Sequence, residues 1–154
     1  MTAVRVVSNS SPLIALERIG QLELLRGVFE KVTVPPAVVS EVWPATQPPD
    51  WFDVVQLTAP ASALVLSSTL GAGEREAIAL AVEIQPNFIL LDDRAARRAA
   101  EALGIPVLGL LGVLLAAKRR GLLSAIRPFI ESLTAAGFRV APELAERVLR
   151  DAGE

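Results

Sequence analysis

Four short runs, Val4–Ser8 (VRVVS), Lys31–Pro35 (KVTVP), Asn87–Leu91 (NFILL) and Ile105–Leu110 (IPVLGL), are predominantly apolar, the last two with consecutive apolar residues and the first two broken at Arg5 and Thr33. A strand with one wet face alternates; one covered on both faces does not. Helical segments follow them. Leu13–Gly20 and Leu22–Phe29 come after the first run, with Pro12 placed where a first helical turn tolerates it. Ala37–Trp43 follows the second, Arg94–Gly104 the third and Leu111–Gly121 the fourth. Leu70–Ile84 enters through glycines and then carries Ala77, Ile78, Leu80, Ala81 and Ile84 at helical spacing. Strands alternating with helices predict an α/β fold with a mostly parallel sheet covered on both sides. A further strand is expected at Phe52–Leu57, a short helix within Ala61–Leu70, and an edge strand at Phe138–Val140. No internal repeat or linker divides the 154 residues, so a single domain over 1–154 is expected, with a helical tail from about residue 122 to 154.

The chain has no His and no Cys. This excludes thiol nucleophiles, Ser-His-Asp triads and zinc sites built from Cys and His. If the chain is an enzyme, carboxylates carry the chemistry, and a hard cation is their natural companion. The net charge of −2 argues against a uniformly basic coat and leaves room for a local basic groove. A secretory signal is not expected, because no basic segment and cleavage site precede Val4. The 16-residue uncharged run Ala102–Ala117 is broken by glycines and Pro106 and is shorter than the roughly 20 residues of a membrane span. A cytoplasmic location without membrane contact is the expectation. An apolar fraction of 52% and a mean hydropathy of +0.47 point to a homodimer that covers helices near the N-terminus or the Leu110–Leu115 helix.

In a parallel sheet, ligands bind beyond the carboxyl ends of the strands. Asn9 follows the first strand and Asp92-Asp93 the strand NFILL. Glu41 lies in the helix after KVTVP, and Glu74 and Glu76 in the first turn of another helix. Each has a purely structural explanation: a strand-end Asp is a common helix cap, and acids in a first turn complement the helix dipole. Ser10 or Ser11 is the expected cap of the first helix. Arg94 with Arg97 or Arg98 shares a helix face and can grip phosphates, or simply face water. Gly71-Ala72-Gly73 lacks the third glycine and the leading strand of a dinucleotide loop, and no Walker loop exists.

Together "VVSNSSPLIAL", "VPPAVVSEV", "LGAGEREAIALA", "ILLDDRAARRAAEALGIPVLGLLGVLLAAKRRGLL" and "APELAERVLRDAGE" resemble, in order and spacing, the PIN-domain proteins, and among them the VapC-like toxins of toxin–antitoxin pairs. The resemblance implies a three-layer α/β/α sandwich whose acidic residues hold Mg²⁺ or Mn²⁺ and cleave single-stranded RNA. It also implies a small cognate antitoxin that lays a peptide across the acidic site. Carried over by position, the acids fall on Asn9, Glu41, Glu74 and Asp92 or Asp93, with Glu76 a neighbour of the third. Ser11 matches a small hydroxyl residue after the first acid, and Ser11, Arg94, Arg97 and Arg98 are the residues expected to meet RNA. Two departures stand out. Asn9 replaces the usual Asp, and Leu110 stands where Thr or Ser is often found. The neutral Asn9 favours the alternative of a catalytically weak PIN-like domain that binds RNA or a protein. The low net charge also allows an interaction domain with no nucleic-acid role.

Overall fold

A computed structural model describes residues 4–66 and 69–154. Among them are five strands: β1 (Arg5–Ser8), β2 (Lys31–Val34), β3 (Phe52–Val54), β4 (Phe88–Leu90) and β5 (Val107–Leu108). They form one sheet in the order β3-β2-β1-β4-β5, and every pairing is parallel. The helices are α1 (Ser10–Arg18), α2 (Leu24–Val28), α3 (Pro36–Val42), α4 (Ala72–Ile84), α5 (Arg94–Ala102), α6 (Leu110–Arg119), α7 (Arg127–Ala135) and α8 (Pro142–Asp151).

The uniformly apolar strands are explained by what covers them. Val6, Val32, Val34 and Leu90 belong to one buried cluster with α1, α2, α6, α7 and α8. Val7, Ile89 and Leu91, the intervening residues, belong to a second cluster with α4 and α5. Successive strand residues point to opposite faces, so both sets are apolar because both faces are roofed. The result is a three-layer α/β/α sandwich, the architecture that the resemblance implies. α3 packs against both α1 and α4, and therefore stands at the border between the two helical layers.

Several local expectations need correction. Phe138–Val140 joins no sheet; Phe138 and Val140 are half-buried against the larger cluster while Arg139 is exposed, which mimics a strand's period without a backbone partner. The strand expected at 105–110 shrinks to two residues, because Leu110 already begins α6. The helix expected within 61–70 is a 3₁₀ turn at Pro60–Val65, and residues 67–68 lie outside the described residues. Neither Ser10 nor Ser11 caps α1. The capping position is Asn9, in extended conformation and without a side-chain cap bond, while the Ser10 hydroxyl is engaged elsewhere. The apolar face of α6 is used inside its own chain: Leu110, Leu111, Val113 and Leu114 are buried. Among the described residues, no helix is long and apolar enough to cross a membrane.

The last turn is clasped to the body by charge. The Glu154 carboxylate accepts from the Ile126 N–H (2.7 Å), the Arg127 N–H (3.2 Å) and the Lys118 Nζ (3.0 Å). These groups, the Ile126 N–H foremost, draw its pKa down from 4.5 to about 2. A depressed carboxyl pKa means that its stabilising contribution is complete above pH 4.5 and fades as pH falls towards 2. Glu154→Gln should thus have a flatter dependence of stability on pH in this window. Urea midpoints of both proteins at pH 7 and pH 3 check it: a stability gap that is the same at both pH values counts against the clasp.

Candidate active site

The strand order reverses at β1. From there the chain runs outward through β2 and β3 on one side and through β4 and β5 on the other. The crevice between the carboxyl ends of β1 and β4 is the switch point at which such sheets bind ligands. The Asn9 N–H donates to the Leu90 carbonyl at 3.2 Å, so Asn9 lies in this crevice beside the end of β4.

Helix starts cluster at this edge, since every parallel strand delivers its chain to a helix here, and the acids are fastened to them. Glu41, carried by α3, accepts from the Ser10 hydroxyl (2.8 Å) in the first turn of α1 and from the Gly73 N–H (2.8 Å) in the first turn of α4. A carboxylate between two helix N-termini is favoured by both dipoles. Gly73 permits the approach: a Cβ there would stand 2.6 Å from Glu41 Oε1. Glu74 reaches back to the Gly71 N–H at 2.8 Å. The Asp92 Oδ1 accepts from the Leu110 N–H (3.1 Å) at the start of α6, and Asp93 caps α5 through the Ala96 N–H (2.9 Å). Glu76 accepts from the Ala37 N–H (3.2 Å) in α3, and so its carboxylate ties α4 to α3.

The electrostatics tie Glu74 to two of the other acids. Burial pushes the Glu74 carboxyl above its usual range; the Gly71 N–H opposes this, while the charges of Asp93 and Glu41 add to it. Burial likewise raises Asp92, against the pull of the Leu110 N–H and of Arg97, whose guanidinium lies 3.7 Å away. The neutral position is the most enclosed. Asn9 is 1% exposed, and both its amide nitrogen and oxygen lack a partner; the Asp92 Oδ2 is also buried and unpaired.

Among the described residues, no three acids are grouped closely enough to hold a metal ion as they stand. Each has an N–H or hydroxyl to satisfy. The donor set is nevertheless one of oxygen, suited to a hard cation, and Asn9 Oδ1 and Asp92 Oδ2 are orphaned acceptors at the same sheet edge. Buried polar groups without partners cost stability and call for an explanation.

The sequence model of a family described as "PIN domain" matches residues 5–154. The chain belongs to the PIN-domain family. Neither a curated protein nor a solved structure gives a match. The PIN domain is a nuclease-type fold, and its acidic edge here is the edge just described.

A cleft of about 1360 Å³ opens next to the acids in this PIN domain. Ser11, Asp92, Asp93, Arg94 and Arg97 line it, whereas Arg98 does not. Arg97 is committed locally, its Nε donating to the Leu91 carbonyl at 3.0 Å. Two further arginines that were not anticipated, Arg18 and Arg139, also line the cleft. Arg18 had a readable signal: Ser11, Ile14, Ala15 and Arg18 follow the spacing of one helix face. Arg139 had none, since its segment reads as a strand.

Proposed function

We propose that this PIN domain is a divalent-metal-dependent ribonuclease that cleaves single-stranded RNA, and that it serves as the toxin of a toxin–antitoxin pair with a small antitoxin as its partner. The observation that carries the catalytic part is that Glu74 lies within electrostatic reach of both Glu41 and Asp93, with the orphaned Asn9 and Asp92 oxygens buried at the same sheet edge. The toxin role rests on the resemblance of the sequence alone.

Glu41, Glu74, Asp92 and Asp93, with the Asn9 carbonyl oxygen, are the groups to hold Mg²⁺ or Mn²⁺. A hard cation, when bound, acidifies water and neutralises charge gathering on a phosphate, which removes the need for a His. The chain's own share is to bring oxygen donors to one edge. The N-termini of α1 and α4 hold Glu41 as a carboxylate acceptor. Burial raises the pKa values of Glu74 and Asp92, and a bound cation would favour their charged forms. Cleavage of a mixed single-stranded RNA panel in Mn²⁺, Mg²⁺ and EDTA tests the reading; RNA left intact with both metals refutes it.

A second reading has its own support. With Asn9 neutral and no ready three-acid cluster among the described residues, the domain binds RNA without efficient cleavage. Asn9→Asp separates the two. A carboxylate near a divalent ion gains several kcal/mol at an effective dielectric of about 20, most of which is offset by desolvation and by its acidic neighbours. A net gain of about 1–2 kcal/mol corresponds to roughly tenfold tighter Mn²⁺ binding. The metal-free variant should be less stable, because a charge at a position that is 1% exposed is costly. Calorimetric Mn²⁺ titration and thermal melts in EDTA measure both; equal affinities would make Asn9 a helix-start residue and no ligand.

A further inference from the structure

The cleft beside the acids differs in charge from the chain that contains it. The chain carries −2 overall, yet the cleft is lined by Arg18, Arg94, Arg97 and Arg139 against only Asp92 and Asp93. Arg97 is occupied by Asp92 and the Leu91 carbonyl. Arg18, Arg94 and Arg139 are exposed, and among the described residues they form no ion pair or side-chain hydrogen bond. Positive charge concentrated in a concave surface of an acidic protein draws in a polyanion.

Between the arginines the wall is apolar, with Ile14, Leu111, Phe138 and Val140. This combination distinguishes among nucleic acids. A duplex keeps its base faces stacked inside, whereas a single strand offers phosphates to cations and base faces to apolar and aromatic surface. Asp92 and Asp93 are part of the cleft's lining, so a strand lying in it meets the acidic edge.

We propose that single-stranded RNA is held in this cleft, between α1, α5 and the 136–141 connection, with Arg18, Arg94 and Arg139 on its phosphates and Phe138 against a base. This rests on the reading that the domain acts on RNA, and it assigns Arg18, Arg139 and the α7–α8 connection to substrate binding. The connection that joins no sheet then has a purpose: it forms the far wall of the cleft.

The test is binding without cleavage. A fluorescein-labelled single-stranded RNA is titrated with full-length protein in EDTA, and anisotropy is followed over a range of KCl concentrations. Each phosphate neutralised contributes about 0.7 to the salt slope for a single strand, so R18A/R139A should lower the slope by about 1.4. Affinity should fall about tenfold, in keeping with two exposed charge pairs. R18K/R139K should retain the slope, and R119A/R120A, which removes two arginines outside the cleft, should bind as wild type. Circular dichroism confirms that the variants are folded. A wild-type affinity and slope in R18A/R139A overturns the assignment even if RNA binding itself stands. Equal affinity for an RNA duplex overturns the single-strand claim. Absence of wild-type binding at every salt concentration overturns the underlying RNA reading as well.

Discussion

On the ribonuclease function proposed above, Glu41→Gln is expected to lower RNA cleavage about 100- to 1,000-fold, the scale on which loss of one transition-state contact is felt, while leaving the fold intact. The substitution removes charge and almost nothing else. Gln keeps the length of the side chain, and its two ends can reproduce the present contacts. The amide oxygen accepts from the Gly73 N–H, and the amide nitrogen donates to the Ser10 hydroxyl oxygen, where Glu41 now accepts from both. A structural staple between α1 and α4 therefore survives, and the carboxylate proposed to hold a metal does not. Single-turnover cleavage in Mn²⁺ together with thermal melts distinguishes the roles. Unchanged cleavage would make Glu41 a staple only, and a collapsed melting temperature would show that its charge at two helix starts is needed for folding.

Ile89→Ala should destabilise the domain severely. Ile89 is fully enclosed in the smaller cluster, on β4 between β1 and β5. A buried Ile-to-Ala change costs about 2–5 kcal/mol, including the cavity that it leaves. A domain of this size shifts by about 2–4 °C per kcal/mol, so the melting temperature should fall by roughly 4–20 °C. Val82→Ala, at a position 49% exposed on α4, should stay within about 0.5 kcal/mol of wild type. Equal effects at the two sites would mean that α4 and α5 do not roof the sheet as described.

The strands were readable because double burial leaves an unmistakable trace, as in the apolar residues on both sides of NFILL. The acids could be located along the chain for a related reason: each follows a strand or opens a helix. What each acid touches could not be read. That Glu41 bridges two helix starts depends on where α3 lies relative to α1 and α4, a matter of packing that leaves no local pattern. The same holds for Glu76, whose carboxylate went to the Ala37 N–H. Phe138–Val140 misled because alternating burial can arise from packing against a core without any ladder of hydrogen bonds. Ser10 misled because a hydroxyl next to a helix start had a stronger acceptor, a carboxylate from another element.

The strand order also sets a schedule for synthesis. β1, β2 and β3 are available as soon as the first third of the chain has emerged, and they already form one half of the sheet. The other edge of β1 then has no partner until β4 arrives, after the whole of α4 has been made. Until that moment Asn9 and Asp92 have never been neighbours. A growing chain therefore carries its acids dispersed for most of its time on the ribosome. The acidic edge is completed late, when β4 pairs with β1 and brings Asp92 and Asp93 to the side of Asn9.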